Sequence, residues 1–144
     1  MTTTNNLNQQ LFLSTDGGAR GNPGPAALGF VLTDTSGRVV YEAGRYLGET
    51  TNNIAEYSAL VEGLQTALNL GASSVIVKMD SELIVKQMSG EYKIKQPHLQ
   101  ELAQEVRQLL AQLDHYEIKH VLREHNKAAD RQVNLAIDKA LGYK

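Results

Sequence analysis

Short runs rich in apolar residues, which are typical of β-strands, occur within the first fifty positions. Three runs show this pattern: Leu11 to Asp16, Ala26 to Leu32 and Arg38 to Leu47. The glycine- and proline-rich segment GGARGNPGPA follows the first run, and the hairpin-type segment DTSG separates the second from the third. Because these connections are short, we predict an antiparallel meander of three strands.

The period changes to that of a helix at Ile54. From Ile54 to Leu70 the apolar side chains form one stripe of an amphipathic helix, which Gly71 ends. The rest of the pattern predicts a strand, two helices, a strand and a last helix: Ser74 to Met79, Ser81 to Met88, Pro97 to Leu113, Tyr116 to Leu122 and Asn126 to Leu141. The order βββαβααβα contains a strand–helix–strand crossover, so we predict an α/β fold in which helices cover a mixed sheet.

The length and composition are typical of one globular domain. The chain has 144 residues, of which 42% are hydrophobic, and this is enough for one substantial core. We expect residues 1–144 to form a single domain with a disordered lead-in over about residues 1–9, which are polar and unlike a secretory signal. The chain has no cysteine, which excludes disulfides and thiolate metal sites, and no apolar run long enough to span a membrane. We therefore expect a cytoplasmic protein without a membrane partner.

The net charge of −2 argues against a protein that binds nucleic acid through a strongly basic surface. Residues 1–77 carry three basic and six acidic groups, whereas residues 78–144 carry eleven basic and ten acidic groups. A site that concentrates carboxylates to hold metal ions also makes the formal net charge of a chain more negative, because that charge omits the bound cations. The charge therefore leaves a nucleic-acid ligand open.

Two aspartates stand at the ends of predicted strands. Asp16 precedes the glycine-rich turn, where another backbone can approach closely, although a turn aspartate that accepts a hydrogen bond from its own backbone is an equally ordinary interpretation. Asp80 follows the apolar strand VIVKM and precedes a helix. It is either the N-cap of that helix or a site residue at the end of a buried strand, where α/β sheets commonly carry their chemistry.

Two further acids lie on predicted helices. Glu56 falls in the first turn of its helix, and with Asn53 as N-cap it is either a capping glutamate or a ligand beside the apolar stripe. Asp130 projects onto the same face of the last helix as Val133 and Ile137. A charged residue on a core-facing stripe is rare unless it is paired or binds metal, the alternative being an acid where the helix overhangs the core.

The four acids belong to four different elements, so together they indicate a metal site more strongly than any one of them does alone. Magnesium takes hard oxygen ligands, and four carboxylates balance the charge of two divalent cations. Such sets support hydrolysis with the two metals about 4 Å apart. We therefore predict that Asp16, Glu56, Asp80 and Asp130 hold Mg²⁺ against a nucleic-acid phosphate.

Four segments closely resemble those of type 1 ribonucleases H, in the same order and spacing. They are STDGGARGNPGPAALGFVL, TTNNIAEYSALVEGLQTAL, VKMDSELIVKQMSGEY and REHNKAADRQVNLA, and they carry the patterns DGG-x-x-x-NPG, TNN-x-x-E, DS and NK-x-x-D. The resemblance covers nearly the whole chain beyond residue 10. It implies the ribonuclease H-like fold, a five-stranded mixed sheet whose second strand is antiparallel.

The resemblance also implies an activity and the residues that carry it. The family cleaves the RNA strand of RNA/DNA hybrids endonucleolytically and leaves 5′-phosphate and 3′-hydroxyl ends, using two Mg²⁺ ions for which Mn²⁺ substitutes. Its metal-binding carboxylates match Asp16, Glu56, Asp80 and Asp130, with Asp16 bridging both ions. The expected contacts to the hybrid are Gly17, Gly18, Asn22, Asn52, Asn53 and Ser81. The expected partner is therefore an RNA/DNA hybrid, and we expect the protein to be a monomer.

The polar residues among these contacts also have structural interpretations. Asn22 is a natural turn residue before Pro23, and Asn52 and Asn53 are natural helix-capping residues. Asparagine offers both a donor and an acceptor, so it suits sugar–phosphate contacts equally well.

This chain departs from the family pattern at three places. It passes from GEYKIK directly to QPHLQEL, so the basic protrusion of some members is absent, and Lys86, Lys93 and Lys95 are either partial substitutes or a solvated face. Glu82 stands where some members carry an RNA-contacting glutamine. The loop LREHNKAAD offers His125 for the family's mobile histidine, since histidine titrates near neutral pH, although it is equally an ordinary surface residue.

Arg123 lies in the same loop as His125, but an arginine could act there only through its positive charge.

Two other functions remain open at this point: a non-catalytic hybrid- or double-stranded-RNA-binding module, and another nuclease of the same superfamily. The first normally lacks one of the carboxylates, and the second lacks the TNN-x-x-E and NPG segments.

Overall fold

The protein forms one five-stranded sheet with helices on both faces. In the computed structural model, which describes residues 9–143, the strands are β1 (Gln10–Ala19), β2 (Gly24–Thr33), β3 (Val39–Thr50), β4 (Ser74–Met79) and β5 (His115–His120). The α-helices are α1 (Asn52–Asn69), α2 (Glu82–Met88), α3 (Pro97–Leu110) and α4 (Lys127–Leu141), and a short 3₁₀ helix spans Arg123–His125. The predicted α/β class, element order and strand number are therefore confirmed.

The sheet is mixed, in the order β3-β2-β1-β4-β5. Strands β1, β2 and β3 pair antiparallel as the predicted meander, whereas β4 pairs parallel with β1 and with β5. The parallel register of β1 and β4 ends at the pair Thr15–Met79, while β1 continues beside β2 as far as Ala19–Ala26. Beyond Thr15–Met79 the two strands diverge, and this opens a space at the carboxyl ends of both.

Helices α1 and α3 cover one face of the sheet and α4 covers the other. Side chains of alternate residues in a strand point to opposite faces, so Leu28 of β2 joins the large cluster under α1 and α3, and Ala27 joins Val133 and Ile137 under α4. Burial of these apolar faces drives the assembly of the layers. Within residues 9–143 no helix is both long enough and apolar enough to cross a membrane.

Some predicted bounds were wrong at element ends. Strand β1 runs three residues into the glycine-rich segment because its pairing with β2 continues there. Helix α3 ends at Leu110 instead of Leu113. Leu113 is buried, so it fitted the apolar stripe of the helix, but it lies in the turn that follows. Strand β5 ends two residues early, at His120, with Leu122 exposed beyond it. The predicted lead-in over residues 1–9 lies almost wholly outside the described residues.

Candidate metal centre

Asp16 and Asp80 lie next to each other at the point where the parallel strands β1 and β4 separate. Each follows the last residue pair that joins β1 to β4, Thr15–Met79, and each is partly buried. Neighbouring parallel strands present their carboxyl ends at one edge of a sheet, which is where α/β folds form their binding crevices. The two carboxylates therefore face the same space.

Glu56 reaches this space because Gly17 lets helix α1 approach β1 very closely. A Cβ atom on Gly17 would lie 2.3 Å from the carbonyl carbon of Ala55 and 2.4 Å from the backbone nitrogen of Glu56. Such distances are impossible for any side chain, so a glycine is required there. The residue after Asp16 thus fixes Glu56 beside Asp16.

The capping roles considered for Glu56 and Asp80 are wrong. The N-cap of α1 is Thr51, whose side chain accepts a hydrogen bond from Ile54 N at 3.2 Å, so Glu56 lies in the second turn of the helix. The N-cap of α2 is Ser81, whose Oγ accepts from Ile84 N at 3.3 Å. Both carboxylates are therefore free of capping bonds and available to a ligand.

Asp130 is placed by a close packing of α4 on β2 and β3. A Cβ atom on Gly29 would lie 2.6 Å from the carbonyl oxygen of Ala129, and one on Gly44 would lie 2.4 Å from that of Gln132. Gly29 is the β2 partner of Asp16. The first turn of α4, which contains Asp130, therefore lies directly over Asp16.

The four carboxylates line one cavity of about 420 Å³. Single oxygen atoms of Asp16, Glu56 and Asp80 lie within 4.8 Å of one another. Asp130 lines the same cavity from the α4 side. Asn134 Nδ2 donates a hydrogen bond to Asp130 Oδ2 at 3.3 Å, one helical turn further on. The arrangement is a group of three acids with the fourth beside it.

Burial and mutual repulsion raise the pKa values of two of these acids when no cation is bound. Burial, the Asp80 charge and the adjoining Asp130 carboxyl raise the pKa of Asp16 from 3.8 to about 8. Burial and the Asp80 charge raise the pKa of Glu56 from 4.5 to about 7, although Ser81 opposes the shift. A divalent cation would remove the repulsion that causes these shifts.

The donor set fits a hard divalent cation. Carboxylate oxygens are the ligands that Mg²⁺ and Mn²⁺ prefer, and the described residues offer no sulfur or imidazole ligand among those that line the cavity. Mg²⁺ usually binds through a few carboxylates and keeps several waters, so a partly open cavity suits it. The residues present therefore fit such a cation.

The predicted substrate contacts separate into two groups. Gly17, Gly18 and Asn52 line the cavity, whereas Asn22, Asn53 and Ser81 do not. Asn52 Oδ1 accepts a hydrogen bond from Ala19 N at 2.8 Å. Asn22 Oδ1 accepts from Asn52 N at 3.1 Å, which ties the turn after β1 to the start of α1. Both asparagines thus use their oxygen structurally and keep the amide NH₂ as the group to offer a ligand.

The structure does not bring His125 into the cavity. His125 is exposed in the short 3₁₀ helix, whereas Arg123, two residues earlier, lines the cavity. One face of a 3₁₀ turn meets the site, and residues two apart cannot share that face. Arg123 therefore brings a positive charge towards the carboxylates where a histidine was expected.

Two polar cavity residues, Arg20 and Asn134, were missed in the sequence analysis. Arg20 projects from the turn after β1, forms an ion pair with Asp138 at 2.7 Å, and donates a hydrogen bond to Asn134 Oδ1 at 3.2 Å. The position of Asn134, four residues after Asp130 on the same helix, was the available signal, because residues four apart on a helix are neighbours. No local pattern indicated that Arg20 would reach across to α4.

Comparison with known proteins agrees with this geometry. Residues 14–136 match the reverse transcriptase-like family model. The chain is 42% identical to ribonuclease HI of Halobacterium salinarum over 125 residues, which is 87% of this chain and 63% of that protein. It is also 42% identical to a bifunctional protein of Mycobacterium tuberculosis over 132 residues, which is 91% of this chain and 36% of that protein. The chain thus spans about one third to two thirds of the length of these relatives.

Solved structures resemble the chain over almost their whole length. The crystal structure of ribonuclease H1 from Halobacterium salinarum has a TM-score of 0.88 and 39% identity, over 90% of this chain and 98% of that one. The ribonuclease H1 called LC11, crystallised in complex with an RNA/DNA hybrid, has a TM-score of 0.86 and 46% identity, over 91% of this chain and 99% of that one. On these grounds the chain belongs to the type 1 ribonuclease H family.

Proposed function

We propose that the chain is an endoribonuclease that hydrolyses the RNA strand of RNA/DNA hybrids with Mg²⁺, or Mn²⁺ in its place. The observation that carries this proposal is the convergence of Asp16, Glu56 and Asp80 within 4.8 Å, with Asp130 lining the same cavity. Water attacks the phosphorus, the bond from phosphorus to O3′ breaks, and the products carry a 5′-phosphate and a 3′-hydroxyl. The four carboxylates are the proposed catalytic and metal-binding residues.

The chain's own residues orient the reacting groups. When bound, a pair of divalent cations supplies positive charge that activates water and stabilises the departing oxygen. Asp16 interacts with both the Asp80 and the Asp130 carboxyls, so it would help to hold either cation. Glu56 and Asp80 complete one side of the site and Asp130 the other. Arg123 adds positive charge at the cavity, where a phosphate would lie, whereas the charge of Arg20 is paired with Asp138.

Hybrid recognition is proposed for the turn after β1 and the start of α1. Gly17 and Gly18 have no side chain, so the substrate backbone can approach them, and Asn52 offers its amide NH₂ at the cavity wall. Asn22 holds Asn52 in place, and Asn53 and Ser81 are proposed to contact parts of the hybrid beyond the cavity. The hybrid bound to LC11 ribonuclease H1, a protein 46% identical to this chain, supports this substrate class. The 2′-hydroxyl of RNA would then distinguish the cleaved strand.

Lys86, Lys93 and Lys95 are the candidates to replace the absent basic protrusion. Lys86 is already engaged, since its Nζ lies 3.6 Å from a Glu82 carboxylate oxygen and 5.2 Å from the Tyr92 ring centre. Lys93 and Lys95 are exposed and remain candidates for backbone contacts. With few cations to replace the absent protrusion, we expect weaker hybrid binding than in members that carry it, and a smaller dependence on salt because fewer phosphates are neutralised. The monomeric state and the cytoplasmic location stay predictions.

A cleavage assay on labelled duplexes tests the proposed function. RNA/DNA, RNA/RNA and DNA/DNA duplexes are incubated with the chain, with Mg²⁺ or with EDTA, beside the Asp80→Asn variant. We expect metal-dependent cutting of the RNA strand in the hybrid, with 3′-hydroxyl ends, and loss of cutting in the variant. Hybrid binding without cutting would favour a non-catalytic module, and cutting of DNA/DNA alone would favour another nuclease of the superfamily.

A further inference from the structure

Asn126 occupies the N-cap position of α4 but does not cap the helix. Asparagine at this position normally accepts a hydrogen bond from a backbone N–H of the first turn. Here the side chain makes no capping bond, and it is 98% buried, at 2% exposure. The NK-x-x-D segment therefore begins with a residue whose side chain has another purpose.

The Asn126 side chain bonds the sheet instead of its own helix. Its Nδ2 donates a hydrogen bond to the backbone carbonyl oxygen of Thr15 at 2.9 Å, across 111 residues of sequence. Thr15 directly precedes Asp16 and belongs to the last pair that joins β1 to β4. This bond therefore fixes the start of α4 against the place where the strands diverge.

The backbone of Asn126 also forms a hydrogen bond with the backbone of Asp130. The Asp130 N–H donates to the Asn126 carbonyl oxygen at 3.2 Å, as the first intrahelical bond of the turn. One residue thus joins the peptide before Asp16 to the peptide of Asp130. The glycine contacts of α4 with β2 and β3 bring the two layers close, but contacts of this kind carry no directional preference.

This placement is unfavourable for stability alone. Asn126 Oδ1 and the neighbouring Thr15 Oγ1 are both buried without a hydrogen-bond partner among residues 9–143. Burial of unpartnered polar atoms costs free energy, and sequences violate such local rules mainly at functional sites. A capping serine or an apolar residue would avoid that cost but would not tie α4 to Thr15.

We propose that Asn126 is a positioning residue that holds the Asp130 carboxyl at a set distance from Asp16, so that the pair binds a divalent cation tightly. This inference rests on the proposed function. Groups that orient a metal ligand typically change metal affinity about 10–100-fold when they are removed. The effect acts on cation affinity and kcat and not on the contacts that bind the hybrid.

The test compares variants that remove the donor with one that only lowers stability. Asn126→Leu keeps most of the side-chain volume without a donor, and Asn126→Ala removes the side chain. Val106→Ala, on the buried face of α3, serves as the stability control. Mn²⁺ affinity is measured by calorimetry without nucleic acid, Tm by circular dichroism, and kcat and KM on the hybrid at saturating Mg²⁺. Asn126→Ser, whose hydroxyl is too short to reach Thr15, replaces either variant if it fails to fold.

We expect Mn²⁺ affinity to fall about 10–100-fold in the Asn126 variants, with lower kcat and a KM for hybrid within twofold of the parent. Val106→Ala should lower Tm and leave Mn²⁺ affinity unchanged. The inference is overturned if the Asn126 variants bind Mn²⁺ like the parent, or if Val106→Ala loses affinity equally at a matched Tm. A parent chain that binds Mn²⁺ but cuts no hybrid would refute the proposed function while the affinity comparison still stands.

Discussion

The two faces of the sheet are built in different ways. The face under α1 and α3 carries a continuous cluster of large buried side chains, among them Leu13, Leu60 and Leu64. The α4 face buries only Ala27, Val133 and Ile137 as a cluster within the described residues. There the helix is held instead by glycine contacts, by the Asn126 bond to Thr15 and by the Arg20–Asp138 ion pair.

This difference suggests that one face mainly stabilises the fold and the other mainly positions a site residue. Apolar burial supplies most of the stability of a fold, so the α1 and α3 face should hold the structure together. Directional polar bonds set positions more finely than apolar contacts, and they dominate on the face that carries Asp130. Glu56 and Asp80 are then carried by the side with the large apolar cluster and Asp130 by the side with the small one.

The largest expected effect is on activity. Asp80→Asn removes a member of the group of three acids, and we expect kcat to fall at least about 10³-fold, comparable to the loss of a principal electrostatic group in other enzymes. Asp130 lies beside the group rather than within it, so Asp130→Asn should lose less. Initial rates on hybrid at saturating Mg²⁺ measure both. Equal losses would mean that the two sides of the site contribute alike.

The next effect is on the free energy of unfolding. Leu60→Ala, in the large cluster, should destabilise the protein by about 3–5 kcal/mol, whereas Ile137→Ala on the α4 face should cost about 2–3 kcal/mol because its apolar cluster is smaller. Urea titration followed by circular dichroism gives both values. A larger loss for Ile137→Ala would reverse the assignment of stability to the α1 and α3 face.

The raised pKa of Asp16 predicts that the stability of the metal-free protein depends on pH. The pKa of Asp16 rises from 3.8 to about 8 on folding, so between these values the unfolded chain has released a proton that the folded chain retains. Stability of the metal-free protein should therefore fall as pH rises from about 4 to about 8. At pH 8 Asp16→Asn should be more stable than the parent by about 1–3 kcal/mol, a value reduced for partial solvent screening.

Thermal unfolding in EDTA at pH 5 and pH 8 measures this effect. Because a cation removes the same repulsion, adding Mg²⁺ should raise the Tm of the parent more at pH 8 than at pH 5. The matched variant Glu49→Gln, on strand β3, provides a control that alters one carboxylate elsewhere. A parent stability that rises between pH 5 and pH 8 would contradict the proposed origin of the shifts.

The smallest expected effect separates two residues of the 3₁₀ helix. Arg123→Ala should lower kcat/KM about tenfold, because its charge lies at the cavity, whereas His125→Ala should change it less than twofold. Rates at pH 7.5 and two salt concentrations measure both, and the Arg123 effect should shrink at high salt. A dominant effect of His125→Ala would require a movement of this segment on substrate binding.

The sequence predicted the sheet well because its strands and helices have clear and different periods. It also assigned the four acids to the correct elements, although Asp16 lies within β1 instead of at its end, and Glu56 lies in the second turn of α1 instead of the first. The bounds and caps were less certain. Thr51, Asn52 and Asn53 are all good capping residues, as are Asp80 and Ser81, and only the three-dimensional structure decides which one bonds the helix.

Long-range contacts were beyond reach of the sequence. Nothing local indicates that a Cβ on Gly17 would strike Ala55, that Arg20 reaches Asp138, or that Asn126 bonds Thr15. Each contact joins residues tens of positions apart, and the direction of a side chain depends on packing that no pattern encodes. These contacts are also the ones that bring the predicted acids into one site.

If these distant acids form one divalent-cation site, a crystal soaked in Mn²⁺ will show it by anomalous diffraction. We expect a strong peak at coordination distance, about 2.1–2.3 Å, from carboxylate oxygens of Asp16, Glu56 or Asp80, and its disappearance in a crystal of Asp80→Asn. Mn²⁺ bound elsewhere, with no peak in the cavity at saturating concentration, would contradict it.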